Sequence, residues 1–142
     1  MVEDGKATGY ILDEQVGFLM RKATQRHLAI FAGQIPDLTP TQFAALAKLC
    51  EKGPSAQNAL GRATAMDAAT IKGVVDRLTA RGLTKAEPDP GDGRRLNIAL
   101  TEEGRAVVAR AVALALDITE ATLSPLNSTE RQTLVRLLEK LK

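Results

Sequence analysis

The sequence predicts a mainly α-helical domain carrying one small β-hairpin. Hydrophobic residues make up 44% of the 142-residue chain, aromatics only 3%, and Trp is absent. The core must therefore come from Ala, Leu, Val and Ile, a composition that favours helices over a β-sandwich. Most of the chain carries apolar residues at helical spacing, punctuated by recognisable caps. One stretch, around residues 83–100, instead reads as two short extended segments separated by a turn rich in Gly, Pro and Asp.

The elements follow in order. From Leu12 the positions Val16, Leu19, Met20, Ala23, Ile30 and Phe31 recur at helical spacing, with Arg21, Lys22 and Gln25 turned the other way. One long amphipathic helix is expected, ending near "GQIPD" because Pro36 disfavours helical geometry at Ile35. A second helix starts at "LTPTQF", with Thr39 as cap, Pro40 in the first helical position and Gln42 reaching back to the amide of the cap. Phe43, Leu46 and Cys50 are assigned to its inner face, and Gly53-Pro54 ends it. Ser55 then caps a helix of about two turns anchored by Leu60.

Asp67 caps "AATIKGVVDRLTA", whose buried stripe is Ile71, Val74, Val75 and Leu78, and Gly82 closes it. The hairpin pairs "LTKAE" with "LNIAL" around "PDPGDGRR". Thr101 caps a helix running to about Leu123, whose apolar residues cover well over half its circumference. A one-sided helix needs an apolar stripe only about 100° wide, so this one is expected to pack on two sides. The "NST" at Asn127 reads as a helix start, not a glycan site, and the last helix is expected to bury Leu134, Leu137, Leu138 and Leu141.

Composition also excludes function classes. Nineteen Lys and Arg against 17 Asp and Glu leave +2, so any nucleic-acid signal must be local. One cysteine and one histidine rule out an internal disulfide and leave no Cys/His zinc cluster, and no metal or other cofactor is expected. The absence of a long apolar run and the acidic, polar start "MVEDGKATGY" predict a cytoplasmic protein with no membrane partner. There is no Gly-x-Ser-x-Gly elbow, phosphate-cradling glycine loop or His-Glu-x-x-His, so an enzyme is not expected.

The element order makes the middle third a winged helix-turn-helix, over about residues 38–101. The third and fourth helices, joined by the tight "ATAMD", let the fourth protrude into the major groove of double-stranded DNA. Its outer face offers the small residues Ala69 and Gly73, flanked by Thr70, Lys72 and Arg77 for bases or phosphates. The hairpin is the wing, carrying Arg94 and Arg95 toward the neighbouring minor groove, where concentrated negative potential attracts a guanidinium. The competing readings are a solvated helix face and a turn in which Asp92 pairs with an arginine.

The stretches "LTPTQFAAL" and "TIKGVVDRLTARGLTKAEPDPGDGRRLNIALTEEG" resemble the multiple antibiotic resistance regulator (MarR) family of bacterial transcription factors, and the resemblance spans essentially the whole chain, 1–142, as one domain. Its most specific part is the wing, where Asp92, Gly93, Arg94, Leu100 and Thr101 match the pattern. Gly93 stands where the family often has a second basic residue, while Arg95 follows Arg94, so either arginine can be the one that enters the groove. The resemblance implies a homodimer built from helices at both ends, about 11–35 and 102–142, in agreement with the two-sided long helix. It further implies a repressor that binds a pseudo-palindromic operator and responds to a small aromatic carboxylate held between the dimer helices and the winged domain. The stretch "LMRKATQRHLAIF" is similar to regulators of aromatic-acid breakdown, including nicotinate-type compounds.

His27 falls within the apolar arc of the first helix, where it is either a hydrogen-bonded core residue or a ligand contact, with Phe31 and Phe43 as candidate apolar walls. Two other function classes compete. One is a winged helix serving only protein contacts. The other is a regulator that senses oxidants through Cys50, against which stands the expectation that Cys50 is a small buried hydrophobe.

Overall fold

The computed structural model describes residues 8–142. The reading of the polar amino terminus falls largely on residues 1–7 and so lies outside the described residues. A 3₁₀ turn, Leu12–Glu14, precedes α1 (Val16–Gln34), α2 (Pro40–Lys52), α3 (Gln57–Ala63) and α4 (Ala68–Ala80). The hairpin β1 (Thr84–Pro88) and β2 (Leu96–Leu100) follows, then α5 (Glu102–Thr122) and α6 (Ser128–Leu141). Residues 34–117 form one compact unit; the chain up to Gly33 together with Ile118–Lys142 forms the other.

In the unit of residues 34–117 the caps act as their sequence suggests. Thr39 and Gln42 complete a capping box, and Gly53 ends α2 at φ 80°. Asp67 accepts the Thr70 amide at 2.8 Å. The Thr101 hydroxyl accepts the Gly104 amide and donates to the Gly82 carbonyl, which stitches the end of α4 to the start of α5. Ile71, Val74, Val75 and Leu78 are buried as the periodicity predicts, beside Leu46, Leu60 and Val108.

Three expectations here need correction. Ser55 is not the cap of α3: that position is Ala56, with no side-chain hydrogen bond. Ser55 instead exchanges two backbone hydrogen bonds with Ile98 and so lies alongside β2, because an extended backbone there satisfies groups on the edge of the two-stranded sheet. Cys50 is exposed, and Phe43 only half-buried. The buried arc of α2 is Ala45, Leu46 and Leu49, and at 3.6 residues per turn Phe43 and Cys50 fall about a quarter-turn to its side.

The other unit departs further. The helix expected from Leu12 is interrupted at Gln15, whose backbone is extended and whose carbonyl accepts from the Leu19 amide. On α6, Asn127 and Glu130 form the expected capping box, yet no residue of the helix is buried. Leu137, Leu138 and Leu141 are exposed in the protomer, as are Val16, Leu19 and Met20 of α1. Leu134 is half-buried, so the apolar stripe of α6 is left largely uncovered within one chain.

Candidate nucleic-acid interface

The recognition surface is set by a tight junction between α3 and α4. A Cβ added at Gly61 would lie 3.1 Å from Ile71 Cγ2 and 3.2 Å from the Met66 carbonyl, so the two helices approach at a residue with no side chain. The turn between them passes through Ala65 at φ 56°, a left-handed backbone on a non-glycine residue. This geometry buries one face of α4 and leaves the opposite face outward. On that face Ala69, Thr70, Lys72 and Arg77 are exposed and Gly73 is half-buried.

The electrostatics of that face are uneven. Lys72 Nζ lies 2.7 Å from Asp76 Oδ2, an exposed pair one helical turn apart, which holds the ammonium only weakly. Arg77 has no ion pair among the described residues. Asp67, at the amino end of α4, has its carboxyl held below the ordinary aspartate value, first by the Thr70 amide that it caps and then by the Thr70 side chain. A carboxylate at that end also complements the positive pole of the helix.

The wing is a regular antiparallel pair, with Thr84 opposite Leu100 and Pro88 opposite Leu96. Its tip is organised by two aspartates, Asp89 and Asp92. Asp89 Oδ1 accepts the Gly91 amide at 2.7 Å, and Asp89 Oδ2 accepts from Asn97 Nδ2 at 3.3 Å. The Gly91 amide is the main reason the Asp89 carboxyl sits below its usual value, with Asn97 and the charge of Arg95 adding to it. Asp92 Oδ1 accepts the Arg94 amide at 3.1 Å and faces Arg94 Nε at 3.4 Å. The local Asp92 pairing is therefore present. Even so, the Arg94 side chain is 94% exposed, so the pair does not hold it down. The signal for these roles was in the sequence: Asp two residues before Gly or Arg in a turn is the pattern of a side chain that caps its own loop.

At its base the wing is pinned by Gly104. A Cβ there would come 2.1 Å from the Leu83 carbonyl oxygen, so α5 can start against the first residues of the hairpin only if that position is glycine.

The effector candidates lie in different units. His27 is half-buried, with Nδ1 hydrogen-bonded to Thr122 Oγ1 at 2.9 Å. Its neighbour Arg26 donates to the carbonyls of Ala121 and Thr122, capping the open carboxyl end of α5. Neither partner was foreseen, because about 95 residues separate them in sequence and no periodicity connects positions so far apart. Phe31 is buried. Phe43, in the other unit, is half-buried.

A helix pair with one helix face free, next to an arginine-tipped hairpin, defines a winged helix-turn-helix protein of the DNA-binding class. The comparisons carry this to a family. The MarR family model matches residues 37–95. The HTH-type transcriptional repressor NicR of Pseudomonas putida is 47% identical over 136 residues, covering 94% of this chain and 86% of the relative. A crystal structure of a probable transcriptional regulator from Pseudomonas aeruginosa superposes with a TM-score of 0.89 at 53% identity, over 93% of this chain and 100% of that one. A structure of Bordetella bronchiseptica BpsR, whose DNA binding is regulated by 6-hydroxynicotinic acid, gives 0.88 at 44% identity over 93% and 96%. The chain belongs to the MarR family and is a DNA-binding transcriptional regulator. Among the described residues no helix is long and apolar enough to cross a membrane.

Proposed function

We propose that this regulator is a repressor that acts as a homodimer on a pseudo-palindromic operator and is released by a small aromatic carboxylate. The observation that carries the reading is the pairing of an exposed α4 face with a wing whose arginine is almost wholly solvent-exposed. Thr70 and Lys72 read bases, Arg77 contacts phosphate, and Ala69 and Gly73 let α4 sit deep in the groove. Arg94 or Arg95 enters the flanking minor groove. Binding is its whole activity, with no catalytic step, and it works in the cytoplasm as one domain, with the winged part at about 38–101 between dimerisation helices at about 11–35 and 102–142. Half-sites then lie about one helical turn apart, since the two-fold symmetry of the protein is mirrored in the DNA.

For the effector, His27 is the polar anchor. Thr122 occupies its Nδ1, which leaves Nε2 to meet a carboxylate, and Phe31 follows on the same helix face four residues later. The regulation of BpsR by 6-hydroxynicotinic acid supports an aromatic acid of that kind. A tenfold loss of operator affinity requires a coupling of only about 1.4 kcal/mol, within reach of one charge-assisted hydrogen bond.

Sequencing the DNA fragments that the purified protein retains tests the first part: an enriched inverted repeat is expected, and retention without sequence preference would defeat it. Calorimetry with nicotinate-like acids tests the second. His27→Ala should weaken binding about tenfold, with Phe31→Leu and Phe43→Leu measured separately to show which ring forms a wall. Equal binding by wild type and His27→Ala would return His27 to a structural role.

A further inference from the structure

We propose that a cleft at the base of the wing, lying wholly within the unit of residues 34–117, is a binding site for a small organic anion. The cleft has a volume of about 290 Å³, at the lower edge of the ~300–1,000 Å³ range of small-molecule sites. Its walls come from three parts of the chain: the end of α2 with Pro54, both strands of the hairpin, and the start of α5. Leu49, Pro54 and Leu100 supply apolar surface, while Lys85 on β1 and Arg105 on α5 supply two cations.

The charge balance sets the class of ligand. Glu87 is the one acidic lining residue, and it stands 3.9 Å from Lys85 Nζ, a loose and exposed contact that leaves the ammonium available. Arg105 has no ion pair among the described residues. The carboxyl end of α2, at Gly53, presents negative partial charge, so the acid group belongs on the Lys85 and Arg105 side and the apolar body against Leu49 and Pro54. A neutral ligand would leave two cations idle, and a bare inorganic ion would leave the apolar walls unused.

Cys50 lines the same cleft, is exposed, and is the only cysteine of the chain. It therefore serves as a built-in reporter. In thiol–disulfide exchange the Cys50 thiolate attacks one sulfur of an aromatic disulfide, forming the mixed disulfide and expelling one aryl thiolate. The rate with anionic dithiobis-nitrobenzoate, divided by the rate with uncharged dithiodipyridine, cancels the reactivity of the thiol itself. What remains is the preference of the cleft.

Relative to an uncharged cysteine amide in solution, this ratio should be raised about tenfold, and the rate with the anionic reagent should saturate as its concentration rises. Lys85→Gln and Arg105→Gln should each lower the ratio about threefold, and together about tenfold, as expected for exposed ion pairs. Each substitution should lower the rate with the uncharged reagent less than the rate with the anionic one, and urea unfolding matching that of the wild type reports that the variants are folded. A ratio equal to that of the free thiol, a ratio unmoved in the double variant, or a preference without saturation would each overturn the proposal; the last would mean a surface field with no site.

Discussion

Leu46 on α2 and Leu138 on α6 are the same side chain in the same kind of element, yet Leu46 is fully buried and Leu138 is 45% exposed. The contrast holds across the two units. Residues 34–117 contain every buried apolar residue among those described except Phe31 and Ile118. The helical ends instead hold most of the large exposed ones, from Tyr10 to Met20 and from Val135 to Leu141. One unit has closed its core with its own residues. The other carries a helical pattern that is sound in each element but unsatisfied in one chain, as expected of a surface that a second copy covers.

The sharpest way to break this comparison is a charge on the unsatisfied side. Leu138→Glu removes a side chain whose burial is worth about 1.5–3 kcal/mol and places a carboxylate in an apolar interface, once on each subunit of a homodimer. Sedimentation should then show monomer at micromolar concentration, and operator affinity should fall at least about a hundredfold. If Leu138→Glu stays dimeric, α6 is not part of the interface. The matching change on the satisfied side is Gly104→Ala. Its methyl group would meet the Leu83 carbonyl, and urea unfolding should show a loss of about 3 kcal/mol, with the subunit association otherwise intact.

Smaller effects sharpen the division of labour. Arg94→Ala should weaken operator binding about tenfold and reduce the salt slope by about one phosphate equivalent, without altering stability. Arg95→Ala, measured beside it, identifies which guanidinium enters the groove; if neither change moves affinity or slope, the wing does not touch DNA. The smallest effect is a gain. Ala65→Gly relieves the left-handed backbone of the α3–α4 turn and should stabilise the protein by about 1 kcal/mol in the same urea experiment.

Much of the site was legible because its signals are local. A cap and its amide lie three residues apart, as at Thr39, Asp67 and Asn127, and the buried stripe of α4 follows from 3.6-residue spacing alone. The hairpin could be read for the same reason, since a short turn brings Thr84 opposite Leu100. The exposed positions of α4 then followed by subtraction.

Tertiary structure decided what depends on distant partners or on phase. Ser55 looked like a cap and became a strand partner only because Ile98 came alongside it. Cys50 looked like core because it is apolar enough and near the right spacing, but a quarter-turn of phase separates a buried position from an exposed one, and the neighbours of α2 set that phase. Arg26 and His27 found the end of α5 through a chain reversal that no local rule encodes. The sequence by itself determined which residues could form each element, because helix and hairpin preferences act over a few residues. Which apolar faces close within the chain and which stay open was decided only in three dimensions, because burial requires a second surface and a periodic stripe does not name its partner.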